Sequence, residues 1–109
     1  MHNELLRIAQ EAIHNAVRHA NATEIAVTLR WEESNLVLQV KDNGSGISAD
    51  RLENSEGFGL GNMQERASAI DGRLQIQTAP GHGTSIIVTV VIAANRHGRY
   101  SFALSSYGN

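Results

Sequence analysis

The feature that most narrows what this chain can fold into is a change of hydrophobic period early in the sequence. From Asn3 to Ala20, Leu5, Ile8, Ala9, Ala12, Ile13, Ala16, Val17 and Ala20 recur every three or four residues, the stripe of an amphipathic helix. The period then drops to two. Ile25, Val27, Leu29 and Trp31 alternate with Ala26, Thr28 and Arg30, and Leu36, Leu38 and Val40 alternate with Val37, Gln39 and Lys41. The polar run Glu32-Glu33-Ser34-Asn35 between them predicts a hairpin. Asn3 is placed to cap the helix, and Glu4 to favour its first turn.

Asp42 to Gly61 reads as a long polar loop containing Gly44, Gly46, Gly57, Gly59 and Gly61. A loop of that length inside a compact domain is functional or disordered. A second helix is predicted from Leu60 to Asp71, with Leu60, Met63, Ala67 and Ile70 on one face and Gly72 as its left-handed cap. Leu74 and Ile76 mark a strand, Pro80-Gly81 a turn, and Thr84 to Ile92 a nearly continuous apolar strand of the central kind. Periodicity stops at Ala93. The order helix, hairpin, loop, helix, hairpin lacks the repeated alternation of a doubly wound sheet. It predicts an α/β (α+β) two-layer sandwich, with helices on one face of a mixed, mostly antiparallel sheet. Residues 1–94 are expected to form one domain, and residues 95–109 a C-terminal tail, disordered or foreign to the native protein.

Composition excludes several function classes. The 9 basic and 11 acidic side chains leave a formal charge of -2, which offers no field for gripping nucleic acid. There is no cysteine, hence no disulfide, thiol catalysis or thiolate-bound zinc. No apolar run approaches the roughly 20 residues of a membrane span, and the polar start Met1-His2-Asn3-Glu4 is unlike a signal peptide. A cytoplasmic domain without direct membrane contact is expected, although the whole protein could be membrane-anchored.

Four short patterns carry chemistry. At about 100° per residue, Glu4, Arg7, Glu11, Asn15 and Arg18 share one polar wedge of the first helix. Glu11 and Asn15, one turn apart, present a carboxylate and an amide oxygen suited to a hard cation or its water. Arg18 is placed to reach a phosphate, although the same spacing describes an ordinary face of Glu–Arg pairs. Next, Asp42-Asn43-Gly44-Ser45-Gly46 ends a strand. An ionised aspartate only accepts hydrogen bonds, which suits the amino group of adenine and opposes the carbonyl of guanine. Third, Gly57-Phe58-Gly59-Leu60-Gly61-Asn62-Met63 runs into a helix start, where free N–H groups and the helix dipole favour an anion. No Gly-Lys-Ser/Thr follows, so this is not a Walker loop. Last, Thr84 after Pro80-Gly81-His82-Gly83 has a hydroxyl able to back up Asp42 if their strands are neighbours.

In this order and spacing, the four patterns resemble the GHKL ATPase superfamily, which includes DNA gyrase, a heat-shock chaperone and histidine kinases. Within it the sequence is most similar to histidine kinases of the nitrate-sensor type. Glu11-Ala12-Ile13-His14-Asn15-Ala16-Val17-Arg18-His19-Ala20 resembles the N-box, and Asp42-Asn43-Gly44-Ser45-Gly46-Ile47 the adenine box. Gly57 to Ala67 and the closing Gly83-Thr84 complete a likeness that covers about residues 4 to 92.

The resemblance implies the GHKL (Bergerat) fold and an ATP-binding catalytic domain that transfers the γ-phosphoryl of Mg-ATP to a histidine on a separate dimerisation domain. A response regulator would be an indirect partner. Asn15 would ligate Mg²⁺, with Glu11 near the metal or the attacking group. Arg18 and His19 would stand near the phosphates, and Asp42 would hold the adenine amino group. Gly44, Gly46, Ile47 and Thr84 would shape the base pocket. Gly57, Gly59, Leu60 and Gly61 would meet the phosphates at the end of a short lid, residues 48–56. The family's acceptor hairpin does not stand in these residues, nor does the strand that often precedes the first helix, so a sheet edge is expected to be open. Two alternatives stay in view: a nucleotide-binding regulatory module without transfer, and a serine kinase of the anti-sigma-factor type.

Overall fold

The computed structural model describes residues 2–48, 59–91 and 101–107. Helix α1 spans His2–Arg18, so Asn3 lies inside its first turn rather than capping it. Glu4, in that turn, titrates below its ordinary value. The main cause is a hydrogen bond from its own backbone N–H, with the amino terminus and Arg66 adding to the effect. The stripe read from the sequence is the buried one at Leu5, Ile8, Ala12, Ala16 and Ala20, but Val17 stands 41% exposed.

Strands β1 (Ile25–Glu32) and β2 (Asn35–Asp42) form the expected hairpin, with Glu33 in its turn at a φ of 54°. Helix α2 runs from Leu60 to Ala69, and β3 (Gly72–Thr78) and β4 (Thr84–Val91) form the second hairpin. The left-handed residue after α2 is Asp71, φ 56°, and not Gly72, which already belongs to β3. Gly72 is small for a packing reason: a Cβ there would crowd the Ala67 carbonyl at 3.1 Å and Val88 and Val90 at 3.3 Å.

Part of the region expected to be a tail is paired with the sheet. Residues Ser101–Tyr107 form a strand, β5, antiparallel to β1 at one edge of the sheet. Apolar alternation there is limited to Phe102 and Leu104, which fall opposite Leu29 and Val27, too short a pattern to mark a strand by period alone. The sheet order is β3-β4-β2-β1-β5, and each of these pairings is antiparallel. The passage from β2 through α2 to β3 returns the chain in the β2 direction. Since β4 inserts between the two, no parallel neighbours result, and the sheet is more uniform than a mixed one.

Both helices contact each other, α1 also touches β1, β2 and β4, and α2 touches β3. The core lies between these layers. Its rows follow the register: Leu29, Leu38, Val88 and Leu74 across one row, and Val27, Val40, Ile86 and Ile76 across the next. Ile8, Met63 and Ala67 fill in from the helices, fully buried. Met63→Ala should therefore cost about 2–5 kcal/mol, the range for emptying a core site. Leu6→Ala, at a residue 49% exposed, should change stability by less than about 0.5 kcal/mol. Urea unfolding of the two variants checks both values.

Candidate functional site

The apolar rows of the sheet end in a polar one. Two residues beyond Val40 and two before Ile86, the register sets Asp42 opposite Ile25 and Thr84, and Thr84 opposite Thr78. Strand side chains alternate with period two, so this row faces the helices, as the apolar rows do. Asp42 and Thr84 are thus neighbours on adjacent strands.

Above this row passes the C-terminal half of α1. Ala12, Asn15, Ala16, His19 and Ala20 line a cavity with Asp42, Gly46, Ile47, Leu60 and Thr84. Asn15 is buried, and its amide oxygen Oδ1 is enclosed without a hydrogen bond. Its backbone carbonyl accepts from His19 and Ala20 at 2.9 and 3.2 Å. The space open to a water-sized molecule is about 20 Å³. That is room for a water.

The loop after Asp42 is stitched on both sides. Asn43 Oδ1 accepts from the Thr23 and Glu24 N–H groups at 2.9 Å, and its Nδ2 donates to Thr23 Oγ1. Ser45 N–H donates to the Ala20 carbonyl at 2.9 Å, while Gly81 N–H donates to the Ser45 carbonyl at 2.6 Å. Asp42 Oδ1 accepts from Gly44 N–H at 2.7 Å. Gly44 itself packs against Ala20 and does not line the cavity.

Thr78, which the sequence reading passed over, is the hub of this end. Its Oγ1 accepts from Ile47 N–H at 2.8 Å and lies 2.8 Å from Thr84 Oγ1 and 3.2 Å from the Gly83 carbonyl. The signal available in the sequence was a threonine ending one strand of a hairpin whose other strand opens with Thr84. Gly83, φ 75°, presses on the Asp42 carbonyl so closely that a Cβ has no room.

The remaining candidates separate. Glu11 is half-buried and lines a second, wider groove between α1 and α2, about 320 Å³, with Arg7, Gln10, His14, Asn62 and Arg66. Gly59, at φ 67°, is the residue before α2 and packs against the Glu11 carboxylate. The wider groove holds neither Asp42 nor Thr84. Arg18 is exposed and lines neither opening, because it sits about 120° around α1 from the cavity stripe. Gly61 faces open space. His14 and His19 bridge the two openings, edge to face with ring centroids 6.3 Å apart. Gly57 and most of the expected lid lie outside the described residues. Among the described residues, no three His, Cys, Asp or Glu side chains cluster as metal ligands, and no helix is long and apolar enough to cross a membrane.

The sequence profile of the histidine kinase-, DNA gyrase B-, and HSP90-like ATPases matches residues 2–94. The chain belongs to that family. Among similar members of this ATPase family is the sensor histidine kinase LiaS of Bacillus subtilis, 41% identical over 88% of this chain and 26% of the relative. The sensor protein VraS of Staphylococcus haemolyticus is 44% identical over 79% of this chain and 24% of the relative. The signal transduction histidine-protein kinase/phosphatase DegS of Brevibacillus brevis is 39% identical over 81% and 22%. The chain thus spans about a quarter of the length of the curated relatives it matches. Two solved structures share the fold. The ATP binding domain of PrrB from Mycobacterium tuberculosis has a TM-score of 0.72 at 21% identity, covering 84% of this chain and 69% of that one. The histidine kinase domain of the E. coli osmosensor EnvZ has 0.67 at 23%, covering 87% and 68%.

The two glycines of the β3–β4 turn give a sharp test of this packing. Gly81 has a φ of 80° but nothing within 4 Å of an added Cβ. Gly81→Ala should cost about 1–2 kcal/mol, the left-handed penalty alone, and keep nucleotide affinity. Gly83→Ala should cost more and also weaken nucleotide binding, since it displaces Asp42. Thermal melts and calorimetric titration with ATP separate the two.

Proposed function

We propose that this domain binds Mg-ATP and supplies its γ-phosphoryl group to a histidine carried by a separate acceptor domain of a two-component sensor kinase. The observation that carries the reading is the pairing of Asp42 with Thr84 inside a cavity walled by Asn15 and the start of α2. An ionised carboxylate fixed through one oxygen by Gly44 N–H offers the other to the amino group of adenine. Kinship with named histidine kinases supports the transfer step.

Asn15 suits magnesium. Its amide oxygen is a hard ligand that lines the same cavity, and magnesium commonly takes few protein ligands, the rest coming from phosphates and water. When bound, the metal neutralises phosphate charge. The chain's own residues position the nucleotide: Asp42 and Thr84 hold the base, and the first N–H groups of α2 face the anionic end. Glu11, against Gly59 where the cavity meets the groove, is placed to accept a proton from an acceptor imidazole.

Asp42→Asn should weaken ATP binding several-fold or more, because a charge-assisted hydrogen bond is worth about 1.5–3 kcal/mol. Asn15→Ala should abolish phosphoryl transfer far more than it weakens adenosine binding. The checks are calorimetry with ATP, GTP and adenosine, and label transfer from γ-labelled ATP to an added acceptor hairpin. The chain alone should take up no stable label, and phosphate on the hairpin should be acid-labile. Equal affinity for ATP and GTP would remove the base assignment, and acid-stable phosphate would point to a hydroxyl acceptor.

A further inference from the structure

We infer that Thr78, which does not itself line the cavity, fixes the polarity of the Thr84 hydroxyl and so makes the polar row a pair of acceptors that selects an exocyclic amino group over a carbonyl. This rests on the base-reading role proposed above for Asp42 and Thr84, and names the residue that sets its specificity.

A threonine hydroxyl has one proton to give and two lone pairs that can receive. Three neighbours share them at Thr78 Oγ1. The Ile47 N–H can only donate, and at 2.8 Å it occupies one lone pair. The Gly83 carbonyl can only accept, and at 3.2 Å it takes the proton. One lone pair remains for Thr84 Oγ1, 2.8 Å away. With the single proton of Thr78 already committed, Thr84 is the donor in that contact. Its proton is directed at β3, and what it presents to the cavity is lone pairs.

Thr84 is buried, lines the cavity and stands opposite Asp42 in the register. Thr78 lies on the other side of Thr84, at the end of β3, and is not part of the cavity wall. An ionised Asp42 also only accepts. The row therefore shows a ligand two acceptors side by side.

The amino group of adenine has two hydrogens and satisfies both. The carbonyl that guanine or hypoxanthine carries in its place has none, and meets oxygen lone pairs where it needs a donor. Polar groups left unpaired inside a site give strong discrimination. A free threonine hydroxyl would discriminate poorly, since it rotates to donate or accept as the ligand requires. The bond to Thr78 removes that freedom. Thr78 is thus a positioning residue that acts on the base through Thr84.

Calorimetric titration with ATP and inosine triphosphate, which differ by an amino group against a carbonyl, reads the effect as a ratio of Kd values. The parent chain should favour ATP. Thr78→Val keeps the shape and removes the hydroxyl, and should shrink that preference about tenfold, the scale of one hydrogen bond regained by the carbonyl. Thr78→Ser keeps the hydroxyl and should hold the parent ratio within about twofold. In a Thr84→Val background, Thr78→Val should leave the ratio unchanged, because no hydroxyl remains to be turned. A general loosening of the site would instead weaken both nucleotides in either background. ATP methylated once on its amino nitrogen gives a reading on the parent chain alone, and should bind about tenfold more weakly than ATP. Undiminished affinity for the methylated nucleotide, an unchanged ratio in Thr78→Val, or an equal fall in Thr78→Ser overturns the inference while the proposed function stands. Equal affinity of the parent chain for ATP and inosine triphosphate overturns the base assignment, and the role of Thr78 with it.

Discussion

The antiparallel register between β2 and β4 is the constraint on which the rest of the structure depends. It sets Leu36, Leu38 and Val40 against Val90, Val88 and Ile86, then sets Asp42 against Thr84. A slip of one residue would turn every one of these side chains to the other face. The core and the site therefore share one alignment, and the apolar rows that secure it also deliver a carboxylate and two hydroxyls to the edge of the core. The close contact of Gly83 with the Asp42 carbonyl and the bond from Ile47 N–H to Thr78 hold that edge in place.

Helix α1 divides the chemistry. Ala12, Asn15 and Ala16, with His19 and Ala20 just beyond its end, face the cavity, while Arg7, Gln10, Glu11 and His14 face the groove. Glu11 and Asn15, adjacent by one turn, stand on opposite sides of the boundary. One helix thus borders two openings of different character.

Much of this was legible in the sequence because it follows local periods. The helix stripe, the first hairpin and the polar end of β2 at Asp42 were all set by alternation and spacing. What was hidden depended on tertiary position. Arg18 shares a wedge with Asn15 on a helical wheel, yet the sheet beneath α1 decides which edge of the wedge is covered. Thr78 belongs to no motif of its own, and its position at this end follows only from its pairing with Thr84. β5 escaped because the alternation of Phe102 and Leu104 is too short to mark a strand before its pairing with β1 is known, and Gly72 because its smallness serves packing under α2 rather than a helix cap.

The central claim is that the polar row at the end of the sheet reads adenine. Amide NMR of the chain titrated with adenosine tests it without metal, phosphate or partner. The account predicts that the signals of Gly44, Ile47 and Thr84 shift on titration, that guanosine leaves them in place, and that Arg7 and Arg66 respond to neither. Shifts centred on the α1–α2 groove, or equal responses to both nucleosides, would contradict it.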